Sequence, residues 1–184
     1  MANALIPTIA VGLAAPSDAH GIQDVFYWSW ITTYPSAEFG ITVEDIEYRY
    51  QDRHSIERIG RTQERIILEC PAIILLVAKD GNSVVGLCRI QPGKDSHFLQ
   101  SLYILPAYQG RGIGGMLWKE AQKYLSPCFP VKLWVTTYNA RAIRIYERWG
   151  FAKQGTSFLS PQLQMRNGSR FPLYEMIRQP KPAP

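Results

Sequence analysis

Residues 106–115 read Pro-Ala-Tyr-Gln-Gly-Arg-Gly-Ile-Gly-Gly, with Gly110, Gly112, Gly114 and Gly115 making four glycines in six residues. Glycine lets the main chain approach a ligand closely and adopt positive φ. A helix starting here presents unpaired N–H groups and a partial positive charge. A pyrophosphate fits that combination, and Arg111 adds a fixed cation. Gly110, Gly112 and Gly115 also satisfy G-x-G-x-x-G, which alone is a weak signal for a dinucleotide. Such a unit needs an acidic ribose partner about 20 residues further on. Residues 121–146 contain no Asp or Glu, and the strands before the loop read as hairpin-linked, so NAD is set aside. No G-K-[ST], H-R-D or D-F-G triplet occurs, which removes P-loop and kinase chemistry. A second chemistry-bearing pair is Asn139 and Tyr146, seven residues apart and so on one helix face with Ile143 between them. A tyrosine of ordinary pKa, about 10, is protonated at neutral pH and can serve as an acid.

These residues need a strand before the glycine loop and helices after it. The hydrophobic pattern predicts strands over 8–13, 73–79, 83–91, 97–105, 131–136, 151–159 and 171–177. Asp80-Gly81-Asn82 is a hairpin turn signal between the second and third. Ser17 caps a predicted helix reaching about Tyr34, where Pro35 stops it, and Thr42 caps another carrying Val43, Ile46 and Tyr50. Residues 51–69 read as mixed and helical, with Gly60 a break. Two more helices are predicted over 112–125 and 139–149. The order is strand, helix, helix, three strands, helix, strand, helix, two strands, which is a mixed α/β (α+β) fold. One domain spans residues 1–178, and the Pro-rich tail 179–184 is expected to be disordered.

Composition narrows the function. At 184 residues, 46% hydrophobic and 19% charged, the chain can bury a core. A net charge of +5 suits an anionic partner such as cofactor phosphates. Basic residues are not interleaved with aromatics in a run, so no nucleic acid is expected. Apolar runs such as 72–78 are too short to span a bilayer, and the N-terminus lacks a basic signal region, so no membrane is expected. Cys70, Cys88 and Cys128 are odd in number and scattered, and His20, His54 and His97 have no H-E-x-x-H spacing. Neither a disulfide framework nor a metal site follows, and a reducing cytoplasm is the expected location.

Leu102-Tyr103-Ile104-Leu105-Pro106, followed by Gln109-Gly110-Arg111-Gly112-Ile113-Gly114, resembles motif A of the GNAT superfamily of acetyl-CoA-dependent N-acetyltransferases. The block from Asn139 through Tyr146 to Gly150-Phe151 is similar to the family's N-x-x-A-x-x-x-Y-x-x-x-G-F. The resemblance covers residues 72–151 clearly and the N-terminal elements more loosely. It implies a mixed, mostly antiparallel sheet of about seven strands with about four helices. It also implies a bulged fourth strand splayed from the fifth and acetyl-CoA as co-substrate. Main-chain groups of Leu102, Tyr103 and Ile104 would bond the pantetheine arm and the acetyl carbonyl. Amides of residues 110–115, with Gln109, Arg111 and Ile113 in the loop, would hold the pyrophosphate. Asn139 would contact the coenzyme arm, and Tyr146 would protonate the leaving thiolate.

The acceptor is an amine of a small molecule (polyamine, amino acid or aminoglycoside) or of a peptide; a non-catalytic acyl-CoA sensor is the non-enzymatic alternative. Where many family members place a glutamate base in the fourth strand this chain has Phe98, and where the branch that acetylates ribosomal proteins has one it has Trp134. His97, expected at an exposed turn, and Glu38 remain as bases, beside a water relay or an amine already neutral. Trp30, Tyr34 and Glu38 are expected to line the acceptor site. Dimers are common in the family, and a homodimer through the last strands is an open expectation.

Overall fold

The computed structural model describes residues 9–180. Residues 1–8, including Thr8 at the predicted first strand, and 181–184 of the tail lie outside the described residues. The chain runs β1 (Ile9–Leu13), α1 (Ala19–Thr33), α2 (Val43–Arg49), α3 (Ile56–Leu68), β2 (Ile74–Asp80), β3 (Ser83–Gln91), β4 (His97–Ile104), α4 (Ile113–Ala121), β5 (Val131–Thr136), α5 (Ala140–Arg148), β6 (Ala152–Gln164) and β7 (Arg170–Arg178). One seven-stranded sheet has the order β1-β2-β3-β4-β5-β7-β6. Every pairing in it is antiparallel except β4 with β5. The strand number and the mixed sheet match the expectation from sequence.

Helices cover both faces. On one, Ile22 and Val25 of α1 pack on Val77, Val84 and Leu87. On the other, Ile113 and Leu117 of α4 and Ile143 of α5 pack on Leu76, Cys88 and Ile90. A third, mostly aromatic cluster joins α1 and α2 to β7 through Trp30, Tyr50, Phe171 and Leu173, with Tyr34, Phe39 and Trp134 at its margin.

Several boundaries differ from the sequence reading; α4 ends at Ala121 instead of about Leu125, as Gln122–Tyr124 tightens into a 3-10 turn, and three further differences have a local cause. The helical run 51–69 divides before Ser55, not at Gly60. Gln51-Asp52-Arg53-His54 has no apolar residue to bury, while Ser55 caps α3 by accepting the Arg58 N–H at 3.1 Å. Gly60 sits inside α3, where it costs only about 1 kcal/mol, and the division makes five α-helices instead of four. α1 starts at Ala19 behind Asp18, one residue later than a Ser17 cap predicts, because Pro16–Asp18 forms a separate 3-10 turn. Asp18 accepts the Ala15 N–H at 2.9 Å and pairs with Lys79 at 2.6 Å. β6 continues past Leu159 to Gln164 across Pro161. It is an edge strand, where a residue without an N–H is tolerated.

Candidate functional site

Parallel pairing of β4 with β5 lasts three residues, His97–Leu99 against Val131–Leu133. The register against β3 then slips: Ile90 faces Leu99 but Arg89 faces Ser101, leaving Gln100 as an extra residue in β4. A bulge of this kind bends its strand and ends local pairing. Beyond it β4 follows β3 and β5 follows β7, and a slot opens between them. This is the bulge and splay that the resemblance implied.

The register also aims main-chain groups. Antiparallel pairs alternate between those that exchange hydrogen bonds and those that do not. Leu105 donates to the Val85 carbonyl at 2.9 Å. Stepping back by two, Tyr103 pairs with Leu87 in the bonded sense, whereas Leu102 and Ile104 turn their N–H and C=O groups away from β3 into the slot. The Ile104 carbonyl accepts a hydrogen bond from the Gln109 side chain at 3.1 Å. Of the three residues expected to offer main-chain groups, Leu102 and Ile104 present theirs to the slot, and Tyr103 presents its side chain.

A cleft of about 990 Å³ runs along this slot. Ser29 and Thr33 of α1 with Tyr34 at its end, residues 99–104 of β4 and its bulge, residues 134–136 of β5, and α5 except for Ala140 and the core-facing Ile143 form its walls. Tyr108, Gln109, Gly110 and residues 112–115 form one end. There Gly110 and Gly112 hold φ of +82° and +78°, and a Cβ built on Gly110, Gly112, Gly114 or Gly115 would meet no protein atom within 4 Å. The loop is therefore an open cradle at the N-terminus of α4, and a side chain there would fill it. Arg111 lies outside the cleft lining, with its guanidinium over the Tyr108 ring at 4.8 Å. The Gln109 side-chain oxygen Oε1 accepts from Arg141 of α5, which ties the loop to that helix.

Asn139 caps α5 by accepting the Ala142 N–H at 3.0 Å, and Tyr146 follows two turns on; both line the cleft, with buried Ile143 between them. Trp149 and Phe151 hold the Tyr146 ring edge-on at centroid distances of 5.9 and 5.8 Å. Across the slot the Tyr34 and Tyr103 hydroxyls share a hydrogen bond at 2.9 Å, and Tyr138 donates to the Tyr34 carbonyl at 2.9 Å. Burial pushes the phenols of Tyr34, Tyr103 and Tyr146 above their ordinary value; for Tyr34, neighbouring Tyr103 and Tyr146 push the same way. The cleft is thus lined by phenols held in their protonated, proton-donating form.

The other expected residues are placed differently. His97 is 3% exposed, not at an open turn: its Nδ1 accepts the Gly93 N–H at 3.2 Å and its Nε2 stands 3.1 Å from the Ser126 carbonyl. Both ring nitrogens are committed to clamping the start of β4. Glu38 is exposed in the loop after α1 and does not line the cleft. Trp30 is buried and faces a second cavity of about 600 Å³ on the α3 side of α1. Of the three residues expected at the acceptor site, the cleft holds Tyr34. Phe98 packs edge-on against Trp134 at 5.2 Å, behind the cleft wall that Trp134 itself forms.

Ser29 and Thr136 went unnoticed in the sequence. They are 2% and 4% exposed, line the cleft, and their hydroxyls have no hydrogen-bond partner among the described residues. The available signal was a small polar residue on an otherwise apolar helix face and strand face. Among the described residues no group of three His, Cys, Asp or Glu side chains is arranged to hold a metal ion, and no helix is long and apolar enough to cross a membrane.

The same architecture recurs in solved structures. An N-acetyltransferase, PaiA, from Thermoplasma acidophilum in complex with coenzyme A superposes with a TM-score of 0.64 at 22% identity, over 94% of this chain and 99% of that one. The acetyltransferase YncA from Salmonella typhimurium, described as putative and solved with acetyl-CoA, gives 0.61 at 17% identity over 95% of each chain. The ribosomal-protein-S18-alanine N-acetyltransferase from Escherichia coli gives 0.64 at 14% identity, over 96% and 97%. In sequence, the acetyltransferase Atu2258 from Agrobacterium fabrum is 26% identical over 103 residues, 56% of this chain and 71% of that protein. A model of the acetyltransferase (GNAT) family matches residues 25–151, which hold the splayed strands, the glycine cradle and the Asn139–Tyr146 helix, and the chain belongs to that family.

Proposed function

We propose that this enzyme transfers acetyl from acetyl-CoA to a primary amine of a small molecule, with Tyr146 as general acid. The observation that carries the reading is the slot: β4 leaves β5 after three pairs, main-chain groups of Leu102 and Ile104 face the opening, and Tyr146 stands on its wall. The glycine cradle supports acetyl-CoA as the donor, since its open Cβ positions leave room for a pyrophosphate against unpaired amides. Acetyl-CoA supplies the thioester carbon that the amine attacks. Residues 110–115 would hold the pyrophosphate, with Arg141 near the same end through Gln109. Leu102 and Ile104 would align the pantetheine arm with their outward main-chain groups. Asn139, spent in part on its cap, fixes the start of α5 and so the direction of Tyr146. Tyr146 holds the proton that the departing thiolate takes, and burial keeps it protonated.

Acetyl-CoA bound only by the native state should raise the thermal midpoint in proportion to ligand excess. Release of free thiol on adding an amine should then report transfer. No thermal shift would remove the coenzyme reading, and a shift without thiol release from any amine or peptide would leave binding alone, as in a sensor.

A further inference from the structure

The cleft also bears on which amines react; this inference rests on the transfer reading above. An ammonium group has no lone pair, so it must shed a proton before attack. Around the slot the ionisable groups come from a few elements. α1 and β4 bring Tyr34 and Tyr103, and α5 brings Tyr146; all three are half-buried phenols whose desolvation keeps them protonated, able to give a proton but not to take one. The loop brings Tyr108, whose hydroxyl is bound to Asp80 at 2.9 Å. From β5 come Trp134 and Thr136, neither of them a base. α5 adds permanently charged arginines and Glu147, which stands exposed. On β7, Glu175 lies opposite Trp134 but outside the cleft lining. His97 has both nitrogens engaged elsewhere. Among the described residues, the interior of the cleft holds neither a carboxylate nor an imidazole.

Two consequences follow. Without a base, the enzyme captures whatever fraction of the amine is already neutral. At pH 7 that is about 1 in 2,500 for an alkylamine of pKa about 10.4, but about 1 in 7 for an α-amino group of about 7.8. The stronger nucleophilicity of the more basic amine offsets only part of this gap. The lining's carboxylate, Glu147, stands exposed on α5 next to Arg148, so the interior of the cleft has nothing to pair with the further charges of a polycation. The lining offers instead aromatic surface from Tyr34, Tyr103 and Trp134, and it includes Ser29 and Thr136, whose hydroxyls are buried and without a partner among the described residues. A buried hydroxyl left unpaired is unfavourable by about 1–3 kcal/mol, so a ligand group that meets it gains affinity.

We infer that the acceptor is a weakly basic primary amine, an α-amino group or an arylamine, carried on an aromatic body with a neutral polar group for Ser29 and Thr136, and not a polyamine or an aminoglycoside. The amine loses its extra proton to solvent. Its nitrogen then bonds the acetyl carbon as the C–S bond breaks. Sulfur takes a proton from Tyr146, and the proton shed by nitrogen restores the phenol through water.

The test measures kcat/KM between pH 6 and 10 by thiol release from the full chain and acetyl-CoA. Phenylalaninamide and phenethylamine share an aromatic body but differ in basicity; aniline and spermidine complete the panel. At pH 7 phenylalaninamide should exceed phenethylamine at least tenfold, with the gap narrowing towards pH 10, and spermidine should be slowest of the alkylamines. Each profile should level off at that amine's own pKa, and Glu147→Gln and Glu175→Gln should leave the profiles unmoved. Aniline outrunning phenylalaninamide would assign the arylamine source, and the reverse order the α-amine source. A plateau common to all acceptors, a profile shifted by either glutamine, or spermidine as the best substrate would overturn the inference while leaving acetyl transfer standing. Loss of the acetyl-CoA thermal shift would instead bring down the transfer reading, and the acceptor class with it.

Discussion

At the scale of single residues, burial sets the chemistry of the cleft. The Tyr146 phenol packs against Trp149 and Phe151, and that burial favours its neutral form. As its pKa is raised, the proton is kept through neutral pH and beyond the ordinary range near 10, so Tyr146 in its proposed role would not limit turnover on the alkaline side before the amine has titrated. Tyr146→Phe should lower kcat by about 100-fold or more, the usual worth of a positioned acid, while the acetyl-CoA thermal shift stays within error of wild type. Equal losses in turnover and in coenzyme affinity would make Tyr146 a packing residue. Thr136 offers the opposite signature. Thr136→Val keeps the shape and removes an unpartnered buried hydroxyl, so urea unfolding should report equal or greater stability, by up to about 1 kcal/mol. The same variant should raise KM for phenylalaninamide. A clear loss of stability would mean that the hydroxyl is satisfied in the folded protein.

Elements aim these residues. α4 begins at a glycine in the left-handed region, and its first turn carries Gly114 and Gly115 where most helices would carry better formers. That choice weakens the helix and keeps the cradle open. Gly114→Ala separates the two effects. Its methyl meets no protein atom, so the thermal midpoint of the free enzyme should rise, equivalent to about 0.5–1 kcal/mol. The acetyl-CoA dissociation constant, from the ligand dependence of the midpoint, should rise severalfold. Unchanged affinity would show that the first turn of α4 does not touch the coenzyme. β4 works in the same spirit: one extra residue, Gln100, ends its pairing with β5 and frees the main chain of Leu102 and Ile104.

Across the whole molecule, the two halves of the sheet meet at a ladder three residues long. Its closed end is clamped by His97, through its side chain and through its main-chain N–H to the Pro130 carbonyl at 2.9 Å. A ligand lying in the slot bridges the halves. Acetyl-CoA should therefore slow amide hydrogen exchange in residues 100–104 and 131–136 more than in β1 and β2, which are far from the joint. Uniform slowing over all strands would signify global stabilisation only.

Residue types and spacing alone carried the strand order, the glycine loop and the Asn139–Tyr146 face, because those features are local: a period of two or 3.6, a turn that needs glycine, two turns of one helix. The residues expected to hold the donor lie almost wholly in such contiguous segments, and their likeness to the family's motifs is what gave them roles. The acceptor end is assembled from α1, β4, β5 and α5, and no periodicity tells which side of α1 meets the slot. Hence, of the residues expected at the acceptor end, Tyr34 lines the cleft while Trp30 and Glu38 do not, and Ser29 and Thr136 line it without a signal in the spacing. His97 shows the same limit, since a polar residue at a predicted turn reads as exposed until the segment 126–130 is folded over it. The division at Ser55 turned on a balance of about 1 kcal/mol between a cap and a glycine, which is too fine for pattern alone. What only the tertiary structure decided is which ionisable groups meet at the slot, among the described residues the phenols of Tyr34, Tyr103 and Tyr146, arginines of α5 and the exposed Glu147, because convergence depends on long-range packing that spacing along the chain does not encode.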